Sequence, residues 1–198
     1  MSLSLQQVFD KVNEQKDPRM GLVKDGSIFY LVLNNGDNTF DFEVITKINA
    51  YLDEIDTSTG PAVLVTIGTG TTRFSTGFDL KFWAKDLSNP LVSMSKMQIL
   101  LNRFMTLSIP SMAVINGHAY AGGLILALMH DFRVMAKGKS RICLSELVLG
   151  LPLPPAYNAY CLATLPIQTF RKLQYAEAYT PEQALKDDVV NELYEGQE

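Results

Sequence analysis

The chain has 198 residues, enough for one domain with a substantial buried core and no need of disulfide or metal staples. Hydrophobic residues make up 47% and charged residues 19%, which excludes a disordered tail or a coiled coil and indicates a compact globular protein. A net charge of −4, with both signs interspersed, leaves no broad basic face for phosphates and excludes nucleic acid as an expected partner.

Residues 1–19 mix acids and bases without an uninterrupted apolar run, so they read as an N-terminal helical extension with no clear targeting signal. Two apolar runs between Leu22 and Leu33, parted by Lys24-Asp25-Gly26, predict a β-hairpin leading into the Asn34-Asn35-Gly36 loop. Phe42, Ile45, Ile48, Leu52 and Ile55 recur at three- and four-residue steps and predict an amphipathic helix over 41–55. Ala62 to Ile67 is a β-branched run of the kind covered on both faces of a sheet. A helix is expected from about Leu91 to Leu107, then a strand over 112–115 and a second apolar helix over 122–129. Strands follow at 132–136 and 142–144, then helices from Pro166 to about Tyr175 and from Thr180-Pro181-Glu182. The uncharged stretch Ser111–Met129 is broken by Asn116-Gly117 and Gly122-Gly123, so no transmembrane segment is expected. Alternating strands and helices without repeats or linker make one α/β domain over 20–198.

Two glycine loops follow predicted strands. The first is Phe74-Ser75-Thr76-Gly77-Phe78-Asp79-Leu80, and the second, Asn116 to Gly123, runs straight into a helix. Glycine admits close backbone approach, and free N–H groups at a helix start can face developing negative charge. Cys143 and Cys161 lack CxxC or Cys/His spacing and read as buried reduced thiols. His118 and His130 form no metal-binding cluster, and no GxSxG elbow accompanies them, so neither a catalytic metal nor a serine hydrolase is expected. His118 reads as a loop or core residue, and His130 as the cap of a helix end.

The order FSTGFDL, INGHAYAGG, HDFRV and LSELVLGLPLP resembles the signature loops of the crotonase (enoyl-CoA hydratase/isomerase) family over about residues 20–195, most specifically between Arg73 and Pro152. The resemblance implies a crotonase-like (ClpP/crotonase) ββα superhelix. It also implies an oxyanion hole from the N–H groups of Phe78 and Gly122, which would hold the thioester oxygen of a fatty acyl-CoA. Family hydratases use two glutamates. The first position is Ile125 here, while the second is kept as Glu146. Hydration benefits from two carboxylates, whereas moving a double bond from position 3 to position 2 needs only one. SELVLGLP at 145–152 resembles the monofunctional Δ3,Δ2-enoyl-CoA isomerases of plant and peroxisomal type.

Glu146 is thus the expected proton carrier, with Leu144, Leu147 and Leu149 expected to crowd it and raise its proton affinity. Ser75, Thr76, Gly77, Asp79, Leu80, Lys81, Gly123 and Ile125 are expected around substrate or CoA, Asp79 also as a helix cap. Arg73, Lys81 and Lys85 could meet CoA phosphates, and Phe82, Trp83, Met94, Met97 and Leu101 an acyl tunnel. No cofactor beyond the substrate's coenzyme A is implied. Family resemblance points to a homo-oligomer, a trimer, or a subunit of a larger assembly, in the peroxisome or mitochondrial matrix. Family members continue past the residues matching 189–192 into helices that cover the acyl-CoA and build the trimer, so a shortened C-terminal helical region is expected. Another acyl-CoA hydratase/isomerase-type activity and a noncatalytic structural subunit stand as the alternatives.

Overall fold

A computed structural model describes residues 2–196. In chain order the elements are α1 (Leu5–Asn13), β1 (Met20–Asp25), β2 (Ile28–Leu33), β3 (Thr39–Phe40), α2 (Phe42–Asp56), β4 (Val63–Gly68), β5 (Arg73–Ser75) and β6 (Gly77–Phe78). There follow α3 (Leu80–Trp83), α4 (Asn89–Met105), β7 (Ser111–Ile115), β8 (His118–Tyr120), α5 (Gly122–Leu128), β9 (Phe132–Ala136) and β10 (Ile142–Cys143). A 3₁₀ turn (Leu147–Leu149) precedes α6 (Pro155–Thr164), α7 (Ile167–Gln174), α8 (Pro181–Lys186) and β11 (Glu192–Tyr194).

The main sheet has six strands in the order β1-β2-β4-β7-β9-β11. Only the β1–β2 hairpin is antiparallel; every later pairing is parallel, because each return passes through a helix. A three-stranded parallel sheet, β10-β8-β5, carries the loops at the ends of the main strands, and β3 pairs with β6 beside it.

Strand periodicity decides what each face covers. Along β2, Phe29, Leu31 and Leu33 enter the large core, while Val32 points the other way into a smaller cluster with Val8, Val12, Val23 and Ile67. Helix α1 closes that second face with Val8 and Val12, both fully buried, and each such side chain contributes about 1.5–3 kcal/mol. Its start is fixed by a Ser4–Gln7 capping box. Asp41 caps α2 by accepting from Val44 N–H at 2.8 Å, and Val44, Ile45, Ile48, Leu52 and Ile55 fill the large core.

Most expected elements lie within two or three residues of their place. Helix α6 and the short strands β3, β5, β6, β8 and β11 carried no expectation, while α3 is the helix that Asp79 was expected to cap. The carboxyl end is fastened by Arg133, whose buried guanidinium donates to Val189 O (2.8 Å) and His130 O (2.7 Å), while its N–H donates to Asn191 Oδ1.

Candidate active site

Two loops converge because glycine removes the atoms that would hold them apart. Gly77 has φ +87°, and a Cβ there would stand 2.8 Å from the Gly122 nitrogen. A Cβ on Gly123 would lie 2.3 Å from Ser75 O. Ser75 locks the first loop: its hydroxyl donates to Asn38 O (2.6 Å) and accepts from Gly77 N–H. Asn38 reaches across from the preceding loop, its Nδ2 donating to Phe74 O at 3.0 Å. The second loop is pinned by Asn116, which bonds Gly68 in both directions through its amide.

These constraints bring Gly77–Phe78 against Gly122 at the start of α5. Asp79 N–H turns to Phe40 O on β3 (3.1 Å), so by strand alternation the Phe78 N–H faces the opposite way. Gly122 is the first residue of α5, where an N–H has no partner four residues back. Ala121, just before it, holds φ +49° and ψ −127°, an uncommon conformation for a residue with a Cβ, and donates its N–H to Cys143 O.

Beside them opens a cavity of about 530 Å³ including its mouth. Thr76, Phe78, Leu80, Ala121, Ser145 and Glu146 line it at the glycine loops; Trp83, Met94, Leu149, the stretch 151–154 and Tyr157 form the rest. Glu146 is its one carboxylate. Oε2 of Glu146 is buried and has no hydrogen-bond partner among the described residues, and Nε1 of Trp83 is in the same condition. An orphaned acceptor and an orphaned donor on one apolar cavity are what a polar ligand would satisfy. Burial pushes the Glu146 carboxyl above the usual carboxylate range, opposed by a hydrogen bond from its own backbone N–H.

The expected neighbours divide. Leu144 is buried and Leu149, half exposed, lines the cavity with Glu146, whereas Leu147 is more than half exposed and does not line it. Thr76 and Leu80 line the cavity; Ser75, Gly77 and Gly123 stand behind it as the loop framework. Asp79 caps α3, its carboxylate accepting from Phe82 N–H (3.0 Å), and does not line the cavity. Ile125 is wholly buried in α5 and Lys81 is exposed; neither is among the lining residues. Arg73 pairs with Asp37 at 2.7 Å and Lys85 lies over the Phe82 ring. Met97 and Leu101 belong to the core, while Phe82 packs edge-on against Phe42.

Tyr157, which no sequence pattern pointed to, closes the cavity floor between α6 and α4 by donating its hydroxyl to Met94 O at 3.0 Å. Its place between Pro154-Pro155 and Cys161 gave no signal of a lining residue. His118 stacks on Tyr120, and its Nδ1 accepts from Arg141 N–H at 3.0 Å. No cluster of three or more metal-ligating side chains and no helix fit to cross a membrane occurs among the described residues.

Residues 24–197 match the family described as enoyl-CoA hydratase/isomerase. The enoyl-CoA delta isomerase 3 of Arabidopsis thaliana is 34% identical over 149 residues, covering 72% of this chain and 62% of that protein. The peroxisomal enoyl-CoA delta isomerase 2 of the same plant is 32% identical over 160 residues, covering 76% and 66%. The chain therefore spans less than two thirds of the length of these relatives. An enoyl-CoA hydratase/isomerase family protein from Pseudomonas syringae superposes with a TM-score of 0.84 at 25% identity, over 89% of this chain and 76% of that one.

Proposed function

The chain belongs to the enoyl-CoA hydratase/isomerase family and has its crotonase fold, and from that premise we propose that it is a Δ3,Δ2-enoyl-CoA isomerase acting on unsaturated fatty acyl-CoA. The observation that carries this reading is the single carboxylate on the cavity, Glu146, with Oε2 buried and unpartnered on a lining that also includes Phe78 and Ala121. Glu146 takes a proton from C2 of a 3-enoyl-CoA. The C2–H electrons spread into the thioester, and the oxygen's negative charge is held by the N–H groups of Phe78 and Gly122. The same carboxyl then returns its proton at C4, which leaves the double bond between C2 and C3 and restores the carbonyl. No metal or redox group enters this scheme.

Hydration is disfavoured because Ile125 stands where family hydratases have their other glutamate and is itself buried in α5. The raised proton affinity of Glu146 suits a group that must both take and give a proton near neutral pH. We place the protein in the peroxisome or mitochondrial matrix, as a trimer or within a larger assembly, in line with the name of one plant relative and with the family resemblance.

The test is the appearance of conjugated 2-enoyl-CoA from a 3-enoyl-CoA, followed by its ultraviolet absorbance. Glu146→Gln is expected to lower kcat by about 10²–10⁴-fold while CoA-ester binding persists. Turnover retained in that variant removes Glu146 from the reaction. Loss of 2-enoyl-CoA to water in the wild type would mark a hydratase, and failure to bind any acyl-CoA would favour a structural subunit.

A further inference from the structure

Glu146 also lines a second cavity that the isomerisation does not use. This cavity, of about 470 Å³ including its open mouth, shares Glu146, Leu151, Pro152 and Leu153 with the first and adds Leu144, Leu147, Asn158 and Gln174. Glu146 and the 151–153 segment therefore border both spaces. The two spaces differ in chemistry. Facing the glycine loops, the wall is aromatic and aliphatic, and an acyl chain lying there would expel water. On the rear side two amides are present, and Gln174 is at the protein surface.

The amides are held in fixed orientation. Asn158 Nδ2 donates to Leu153 O (2.9 Å) and to Pro154 O (3.3 Å), and its Oδ1 accepts from Gln174 Nε2 at 2.7 Å. Gln174 keeps Oε1 as an acceptor for solvent. A cavity holds ordered water when it is roomy and offers two to four polar partners. Glu146, the remaining lone pair of Asn158 Oδ1 and the Oε1 of surface-exposed Gln174 supply them.

We infer that this rear cavity is a water-filled proton port through which the Glu146 carboxyl exchanges its proton with solvent while substrate occupies the front cavity. The inference rests on the reading of Glu146 as the proton carrier. The step balances without further reactants: the protonated carboxyl gives one proton to a water and receives another from it, and no bond to carbon forms or breaks. Proton return at C4 then competes with exchange. The product's isotopic content records which happens first.

The experiment runs unlabelled 3-enoyl-CoA in D₂O, stops at low conversion, and locates deuterium at C4 by NMR and mass spectrometry. Wild type is expected to place solvent deuterium at C4 in a measurable share of turnovers. Two variants at exposed rear positions close the port, Gln174→Leu by removing the outer amide and Leu147→Trp by filling the space; neither residue lines the front cavity. Each is expected to lower the deuterium share several-fold while turnover in H₂O is retained. Absence of deuterium in the wild-type product, or an unchanged share in both variants, overturns the port. So does folded protein from both variants without turnover, since that makes the rear wall a structural support. Isomerisation surviving in Glu146→Gln would sink the proton-carrier reading itself, whereas activity that depends on Glu146 with a share indifferent to the rear variants sinks only the port.

Discussion

Acid should unfold this protein partly through one histidine. His130 lies buried at the end of α5, its Nδ1 3.0 Å from Leu126 O and its Nε2 2.7 Å from Thr66 Oγ1 on β4. A carbonyl can only accept, so Nδ1 carries the proton, and in the neutral ring Nε2 accepts from the threonine hydroxyl. Burial holds its pKa down from 6.5 to about 4, with neighbouring Arg133 adding to the depression. That gap corresponds to about 3 kcal/mol at 1.36 kcal/mol per unit. The unfolded chain takes up the proton near pH 6.5 and the folded one resists until about 4, so stability from this group is whole above 6.5 and drains as pH falls across that window.

Carboxylates titrate in the same range, which makes a difference measurement necessary. His130→Gln keeps one donor and one acceptor but has nothing to protonate. Urea unfolding of both proteins at closely spaced pH should show the wild-type advantage shrinking by about 3 kcal/mol toward acid. Two proteins that weaken in parallel across the window would refute the reasoning, as would an NMR titration of the His130 ring with a midpoint near 6.5.

Gly77→Ala would strain a φ of +87° and push a methyl to within 2.8 Å of the Gly122 nitrogen. We expect about 1–3 kcal/mol of destabilisation and a fall in kcat/KM of about 10²-fold, as for a misplaced oxyanion donor; kinetics beside thermal melts separate the two, and near-wild-type kcat/KM would contradict the role of this close approach. Arg133→Leu would orphan the carbonyls of His130 and Val189 and cost about 2–4 kcal/mol. Amide hydrogen exchange should then quicken first in β11; uniform change across the sheet would oppose that. Because burial raises the Glu146 pKa, its folded form favours the proton, so its contribution is lost as pH rises through that raised value. Glu146→Gln should therefore melt higher than wild type at neutral pH and lose that advantage in acid, and a lower melting temperature throughout would refute the buried-carboxyl picture.

What the sequence made legible were the elements whose signals are local. Asp41 and Thr180 accept from N–H groups three residues on, as their side chains require, and Ile45, Ile48, Leu52 and Ile55 share one buried face. Helix α6 gave no such signal, because only Tyr157 and Cys161 are buried among its ten residues, one turn apart. Of the three-stranded sheet only β10 was expected; β5 and β8 escaped notice because they have three residues each and exist through pairing with distant segments. At the site, the glycine loops and Glu146 stood out as motifs. The loops' bracing by Asn38 and Ser75, some thirty-seven residues apart in the chain, could be seen only in three dimensions. The same holds for Tyr157, whose hydroxyl reaches a carbonyl sixty-three positions away.

Because the two donors proposed at Phe78 and Gly122 are main-chain amides, ordinary exchange of side groups cannot delete them. Vulnerability shifts to residues with no functional group to lose: at Gly77 and Gly123, one added carbon would pry two loops apart. The walls around Met94, Leu149 and Tyr157 have wider latitude, since apolar volume can be rearranged without touching an amide. On the proposed function, such a lineage could retune which acyl chains it accepts through ordinary drift of its lining, while the close approach of the two loops stays fixed by steric necessity.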